Sequence, residues 1–108
     1  VQLAPAYDFL SSVMAYRAVG TKPADVEEIA LTLKGRKRKL TRANWIEYFG
    51  ADRLSLPPKV IDKVLLDLSD AGKAWFSRIG ESFLPPDQKE LYCELLSERF
   101  VRLSINPA

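Results

Sequence analysis

The feature that most constrains this chain is an apolar stripe bracketed by prolines. Between Pro57-Pro58 and Pro85-Pro86, Ile61, Val64, Leu65, Leu68, Ala71, Trp75, Phe76, Ile79 and Phe83 recur at helical spacing. Proline suits the first turn of a helix, where its missing N–H removes no bond. Pro85-Pro86-Asp87 therefore ends this helix and starts the next. There Leu91, Leu95, Leu96, Phe100 and Leu103 form a second stripe, and Asn106-Pro107 closes it. Two helices joined by so few residues pack as an antiparallel hairpin. Gly72 inside the first stripe costs about 1 kcal/mol against alanine, which points to a bend or a close helix contact. Trp45 and Trp75 lie on apolar faces and read as core, and Cys93, in register with Leu96 and Phe100, reads as buried and inert.

Upstream the pattern is less regular. Thr41 is a good N-cap, and Trp45, Ile46 and Phe49 recur at helical spacing before Gly50 ends the run. Asp25 could cap a helix, but Ile29, Leu31 and Leu33 alternate with Ala30, Thr32 and Lys34, which favours a strand. Lys34-Gly35-Arg36-Lys37 then reads as a turn, and residues 28–40 as a β-hairpin. Residues 9–24 follow neither period; with Gly20 and Pro23 as breakers they read mostly as loop, with a possible short strand or turn. The expected fold is a single domain, mainly α with a small β element: a strand and loop over 1–24, the hairpin, and a helical part over 41–108.

At 108 residues and 47% hydrophobic content the chain can bury one core. One cysteine excludes a disulfide within the chain and suits a reducing compartment. With no histidine there is neither a Cys–His pair nor a histidine-containing zinc site. No uncharged apolar run reaches the roughly 18 residues of a membrane-spanning helix, and the N-terminus lacks a signal-peptide pattern. A cytoplasmic protein is the expectation, cut from something longer, since the chain starts inside an apolar segment without an initiator methionine.

The chemistry concentrates in the first residues, Val1-Gln2-Leu3-Ala4-Pro5-Ala6-Tyr7-Asp8, followed by Phe9-Leu10. Pro5 holds Ala4 extended. Asp8 is a lone carboxylate between apolar neighbours, costly to bury unless a cation, a set of donors or a metal ion pairs with it. The plainer role is to cap or close a turn before Phe9. Tyr7 reads as core, with an approach to a nucleotide as the alternative. Ser11 and Ser12 could be phosphorylated, but loop serines are ordinary.

Leu3-Ala4-Pro5-Ala6-Tyr7-Asp8 resembles the L-(S/T/A)-P-A-Y-D segment of the HipA-type serine/threonine kinases, and Ala30-Leu31-Thr32-Leu33-Lys34-Gly35-Arg36-Lys37 is similar to that family's A-L-x-L-x-G-K-K stretch. The resemblance implies the C-terminal helical subdomain of a two-lobed, protein-kinase-like fold. It implies transfer of the ATP γ-phosphoryl group to Ser or Thr of a target protein, with aminoacyl-tRNA synthetases among family targets. It also implies a bacterial toxin–antitoxin system in which a helix-turn-helix antitoxin neutralises the toxin. Asp8 then holds magnesium on the ATP phosphates, a role suited to a hard oxygen ligand. The catalytic loop, the ATP-binding lysine and the phosphate-covering loop lie upstream of this chain, so the fragment alone is expected to be inactive.

Lys34, Arg36, Lys37, Arg38 and Lys39, with Arg42 close behind, are the one strong charge asymmetry. A solvated hairpin tip that discourages edge pairing is the favoured role, since no aromatics interleave as in a base-reading surface. The alternative is a stand-alone helical interaction module whose basic hairpin binds nucleic acid or an acidic partner.

Overall fold

The computed structural model describes residues 1–7 and 9–106. Residues 1–7 carry no regular structure, so the expected strand is absent there. The chain then forms α1 (Ser12–Ala18), a 3-10 turn (Pro23–Asp25), a π-helix (Asn44–Arg53), α2 (Pro58–Glu81) and α3 (Pro86–Arg102). The mainly helical class is as expected, but most boundaries outside α2 and α3 differ, each for a local reason.

Helix α1 replaces the expected loop. Ser11 caps its start, accepting from the Met14 amide at 3.4 Å. Gly20, at φ 85°, ends it: its N–H bonds Arg17 O and that of Thr21 bonds Tyr16 O, the paired bonds of a Schellman closure. Ser11 thus has a structural role.

The expected hairpin over 28–40 is reduced to one isolated antiparallel bridge, Leu33 to Arg36. Lys34 and Gly35, at φ 50° and 73°, sit at its centre, the two positive angles of a type I′ turn. The turn is therefore one residue earlier than expected. The next backbone bond, Glu28 N–H to Lys37 O at 2.7 Å, is out of register with that bridge, so no ladder propagates.

Thr41 caps as expected. The Asn44 amide bonds Thr41 Oγ1 at 3.3 Å, and Asn44 Oδ1 accepts the Thr41 amide at 2.9 Å, a reciprocal cap on the turn leading into the π-helix. Gly50 does not end this helix but lies inside it. The wide winding has a sequence correlate: Trp45, Ile46, Phe49, Gly50 and Leu54 are spaced four or five residues apart between turns, and all line one apolar cavity. That repeat fits i→i+5 bonding better than 3.6-residue winding, and Leu54 N–H indeed bonds Phe49 O at 2.9 Å. A Cβ at Gly50 would stand 3.3 Å from Trp45 O and 3.4 Å from Ile61 Cδ1, so the glycine lets α2 approach. Replacing Gly50 with valine should destabilise by about 2 kcal/mol through overpacking, seen as a lower urea midpoint at unchanged slope.

Helices α2 and α3 pack antiparallel. Ser69 pairs with Asn106, Trp75 and Phe76 with Phe100, and Gly80 with Lys89, so residue numbers rise on one helix as they fall on the other. Trp75 stacks on Phe100 at 5.8 Å between ring centroids. Lys89 Nζ donates to Gly80 O at 2.7 Å, satisfying a carbonyl at the end of α2. Gly72 is buried within an unbroken α2. Helix α3 stops at Arg102, before the expected Asn106-Pro107. Ser104 takes the left-handed position at φ 55°, with Ser104 N–H to Val101 O and Ile105 N–H to Phe100 O. Pro107 lies outside the described residues.

The core is thin: Val26, Leu33, Leu40, Ile61, Ile79, Leu95 and Phe100 are its buried apolar residues. Leu65, Leu68, Ala71, Phe76, Leu91, Leu96, Trp45 and Cys93 are half-buried, Trp75 is partly exposed, and Phe83, expected in the stripe, is fully exposed. The chain exposes 8224 Å², against about 6,100 Å² for a compact monomer of this mass. Its radius of gyration is 15.2 Å, against about 13 Å for a compact domain of this length. Among the described residues no helix is long and apolar enough to cross a membrane.

Candidate functional site

Asp8, the expected magnesium ligand, lies outside the described residues. Of the apolar residues near it in sequence, Leu3 is 97% exposed, Phe9 87% and Leu10 81%. Tyr7 is also exposed rather than core. This exposed apolar stretch leads in sequence into α1.

What fixes α1 is a polar junction that sequence reasoning did not single out. Arg17, in the last turn of α1, reaches Glu98 on α3, Nη2 to Oε2 at 3.4 Å. Glu98 also receives Arg99 at 3.1 Å and Arg102 at 2.9 Å. Glu28, on the segment after the 3-10 turn, is the hub. Its side chain is 13% exposed and accepts the Lys39 and Leu40 amides at 3.1 and 3.3 Å. It also accepts Arg102 Nη1 at 2.6 Å, with Arg99 Nη1 3.6 Å away. One carboxylate therefore ties the basic turn to α3. Charge-assisted bonds in a partly buried setting are the stronger kind, and each holds geometry as well as energy.

Burial lowers the affinity of the Arg99 guanidinium for its proton. Glu28 and Glu98 oppose that shift, while Arg102 and Arg17 add to it. The direction reports crowding of three like charges around two carboxylates; arginine nonetheless stays charged at any physiological pH.

The basic run is partly spent on neighbours. Lys37 pairs with Glu27 at 3.8 Å and Arg38 with Asp25 at 4.0 Å, both on the exposed surface, where such pairs contribute little. Lys34 Nζ sits 5.6 Å from the centroid of the Tyr48 ring, a cation–π contact. Arg42 turns away from the run and donates to the Leu103 carbonyl at the end of α3, complementing that helix terminus. Arg36 and Lys39 line the shallow basic cleft at the turn. The tip is solvated, as expected, and its charges are arranged around a turn rather than along a strand edge.

A second feature is the apolar cavity of about 270 Å³ between the π-helix and α2, lined by Trp45, Phe49, Leu54, Ile61 and Leu68 among others. It is open to solvent on the side where Phe49, Leu54 and Val64 are partly exposed. Among the described residues no three or more His, Cys, Asp or Glu side chains converge to hold a metal ion. No family model matches the chain, and no curated protein matches it.

Proposed function

We propose that this chain is the C-terminal portion of a HipA-like toxin kinase, which transfers the γ-phosphoryl group of ATP to Ser or Thr of a target protein. The observation that carries the reading is the segment around Asp8: a HipA-like Leu3–Asp8 motif whose apolar residues stand almost wholly exposed. Exposed apolar surface of this kind marks an interaction face, here the face that meets the catalytic lobe. The excess surface of the whole chain, and its helical scaffold ending in an antiparallel pair, support the same reading.

In this reaction a substrate hydroxyl oxygen bonds the γ-phosphorus as the bridging bond to ADP breaks, and the hydroxyl proton passes to a base outside residues 1–108. Catalysis of this kind is mostly positioning and charge stabilisation. The part proposed for this chain is positional: the Leu3–Asp8 segment leads in sequence into α1, which Arg17 ties to Glu98 on α3. Magnesium, when bound there, offsets phosphate charge. By the same resemblance the partners are ATP, a protein substrate of the kind family members target (aminoacyl-tRNA synthetases among them) and a helix-turn-helix antitoxin, in the bacterial cytoplasm.

Residues 1–108 supply one magnesium carboxylate and no phosphate-covering loop. Calorimetry should therefore detect no ATP–magnesium binding to this chain in the micromolar range, while the longer protein containing it binds ATP and phosphorylates Ser or Thr. Micromolar nucleotide binding by residues 1–108, or a longer protein that transfers no phosphate, would overturn the reading. The alternative, a stand-alone module binding nucleic acid through the basic turn, would give salt-dependent binding of DNA or RNA to this chain.

A further inference from the structure

We propose that the cleft between α1, the 3-10 turn and the end of α3 is an oxyanion site, taking phosphate or a phosphate monoester. The cleft encloses about 230 Å³ and is lined by Arg17, Glu28, Lys39, Glu98, Arg99 and Arg102, with Pro23, Ala24 and Val26 as its apolar wall. Four cations face two carboxylates there, so the site carries a surplus of positive charge.

Three observations make that surplus available to a ligand. The Arg17 side chain is 13% exposed and its Nε is buried with no hydrogen-bond partner among the described residues. A buried donor without an acceptor costs free energy that an incoming oxygen would recover after a small movement of the guanidinium. Arg99 is crowded by Arg102 and Arg17, a repulsion that an anion would relieve. Lys39 offers its backbone N–H to Glu28, and the residue lines both this cleft and the neighbouring basic one. Ala24 and Lys39 are common to the two clefts, so Arg36 extends the positive field outward, while Lys37 and Arg38 are offset by Glu27 and Asp25. Arginine's planar donor fork matches the tetrahedral oxygens of phosphate. Glu28 and Glu98 line the same cleft, and their charges limit affinity to what the surplus cations supply.

This site uses none of the residues proposed to meet ATP, so it stands or falls apart from the kinase reading. The test is calorimetric titration of the full chain with inorganic phosphate at fixed ionic strength in chloride, repeated with O-phosphoserine. Saturable binding is expected. Arg17→Gln and Lys39→Gln should each weaken it about tenfold, the effect of losing one charge-assisted hydrogen bond. Arg53→Gln, in the π-helix and away from the cleft, should leave it unchanged, and circular dichroism checks that each variant is folded. Because only the Lys39 backbone serves the fold, Lys39→Gln tests the site even where Arg17→Gln disturbs α1. Binding of both ligands assigns a phosphate monoester, and binding of inorganic phosphate alone assigns the free ion. Heat that does not saturate, or the same weakening in Arg53→Gln as in Lys39→Gln, would overturn the proposal.

Discussion

Replacing Glu28 with alanine is expected to lower stability by about 3 kcal/mol, because it strips the acceptor from several donors at once. The Lys39 and Leu40 amides lose their bonds, and Arg102 loses its closest carboxylate. Leu40 is the most completely buried residue of the core, so its amide cannot turn to water without moving the chain. A loss of that size corresponds to a fall of about 10–20 °C in the melting temperature of a domain this small. Glu28→Gln keeps an acceptor for the amides and removes only the charge, so it should cost roughly half as much. Thermal melts of both variants separate the two contributions. A loss below about 1 kcal/mol in Glu28→Ala would mean that Glu28 behaves as an ordinary surface ion pair rather than as the hub of the fold.

How far the fold was legible follows from the kind of signal each element carries. Helices α2 and α3 are written in long apolar stripes with prolines at their starts, and the structure gives both, packed antiparallel. Their partial exposure is not written there: a stripe says which face is apolar, not whether enough partners exist to cover it. Phe83, in register but fully exposed, makes the point. Helix α1 carries its punctuation in sequence, a Ser11 cap and a Gly20 exit, but its seven residues are too few for a clear period. The π-helix was read as an ordinary helix because Trp45 and Phe49 suit either winding; Leu54 is the residue that separates them. The end of α3 was set by a serine in a left-handed conformation, a place where glycine is the usual signal.

The hairpin failed for a different reason. Alternation over 29–34 supplied the pattern of a strand, and Lys34-Gly35 supplied a genuine hairpin turn. Pairing beyond the bridge would require 28–32 and 37–40 to stay in register. Instead the Leu40 amide, which the 29/40 pair of such a ladder would use, is taken by the Glu28 carboxylate, together with the Lys39 amide. A long-range side-chain hub thus displaced a local ladder. Its members are ordinary charged residues in sequence: Glu98 and Arg102, four apart, look like a routine helix pair. Only folding brings Arg17 and Glu28 to them, across 81 and 74 residues respectively.

The Asp8 segment is legible in sequence alone, since its description rests on the order of six residues and on a resemblance. Leu3, Phe9 and Leu10, near Asp8 in sequence, are exposed. Most cations of the basic turn are taken up within this chain, by Glu27, Asp25, Tyr48 and Leu103.

The most direct test of the proposed function is phosphoryl transfer by the longer protein carrying Asp8→Asn. Asparagine keeps the size and a neutral oxygen but removes the charge that a hard divalent cation requires. The account expects transfer of labelled phosphate from ATP to Ser or Thr to fall by about 10²–10³-fold or more, the scale for losing one preorganised charge-stabilising group. The melting curve should be unchanged, since the junction at Glu28 and Arg17 holds the fold. Phosphorylation at the normal rate by the Asp8→Asn protein would contradict the assignment of Asp8, and with it the reading of this chain as half of a kinase active site.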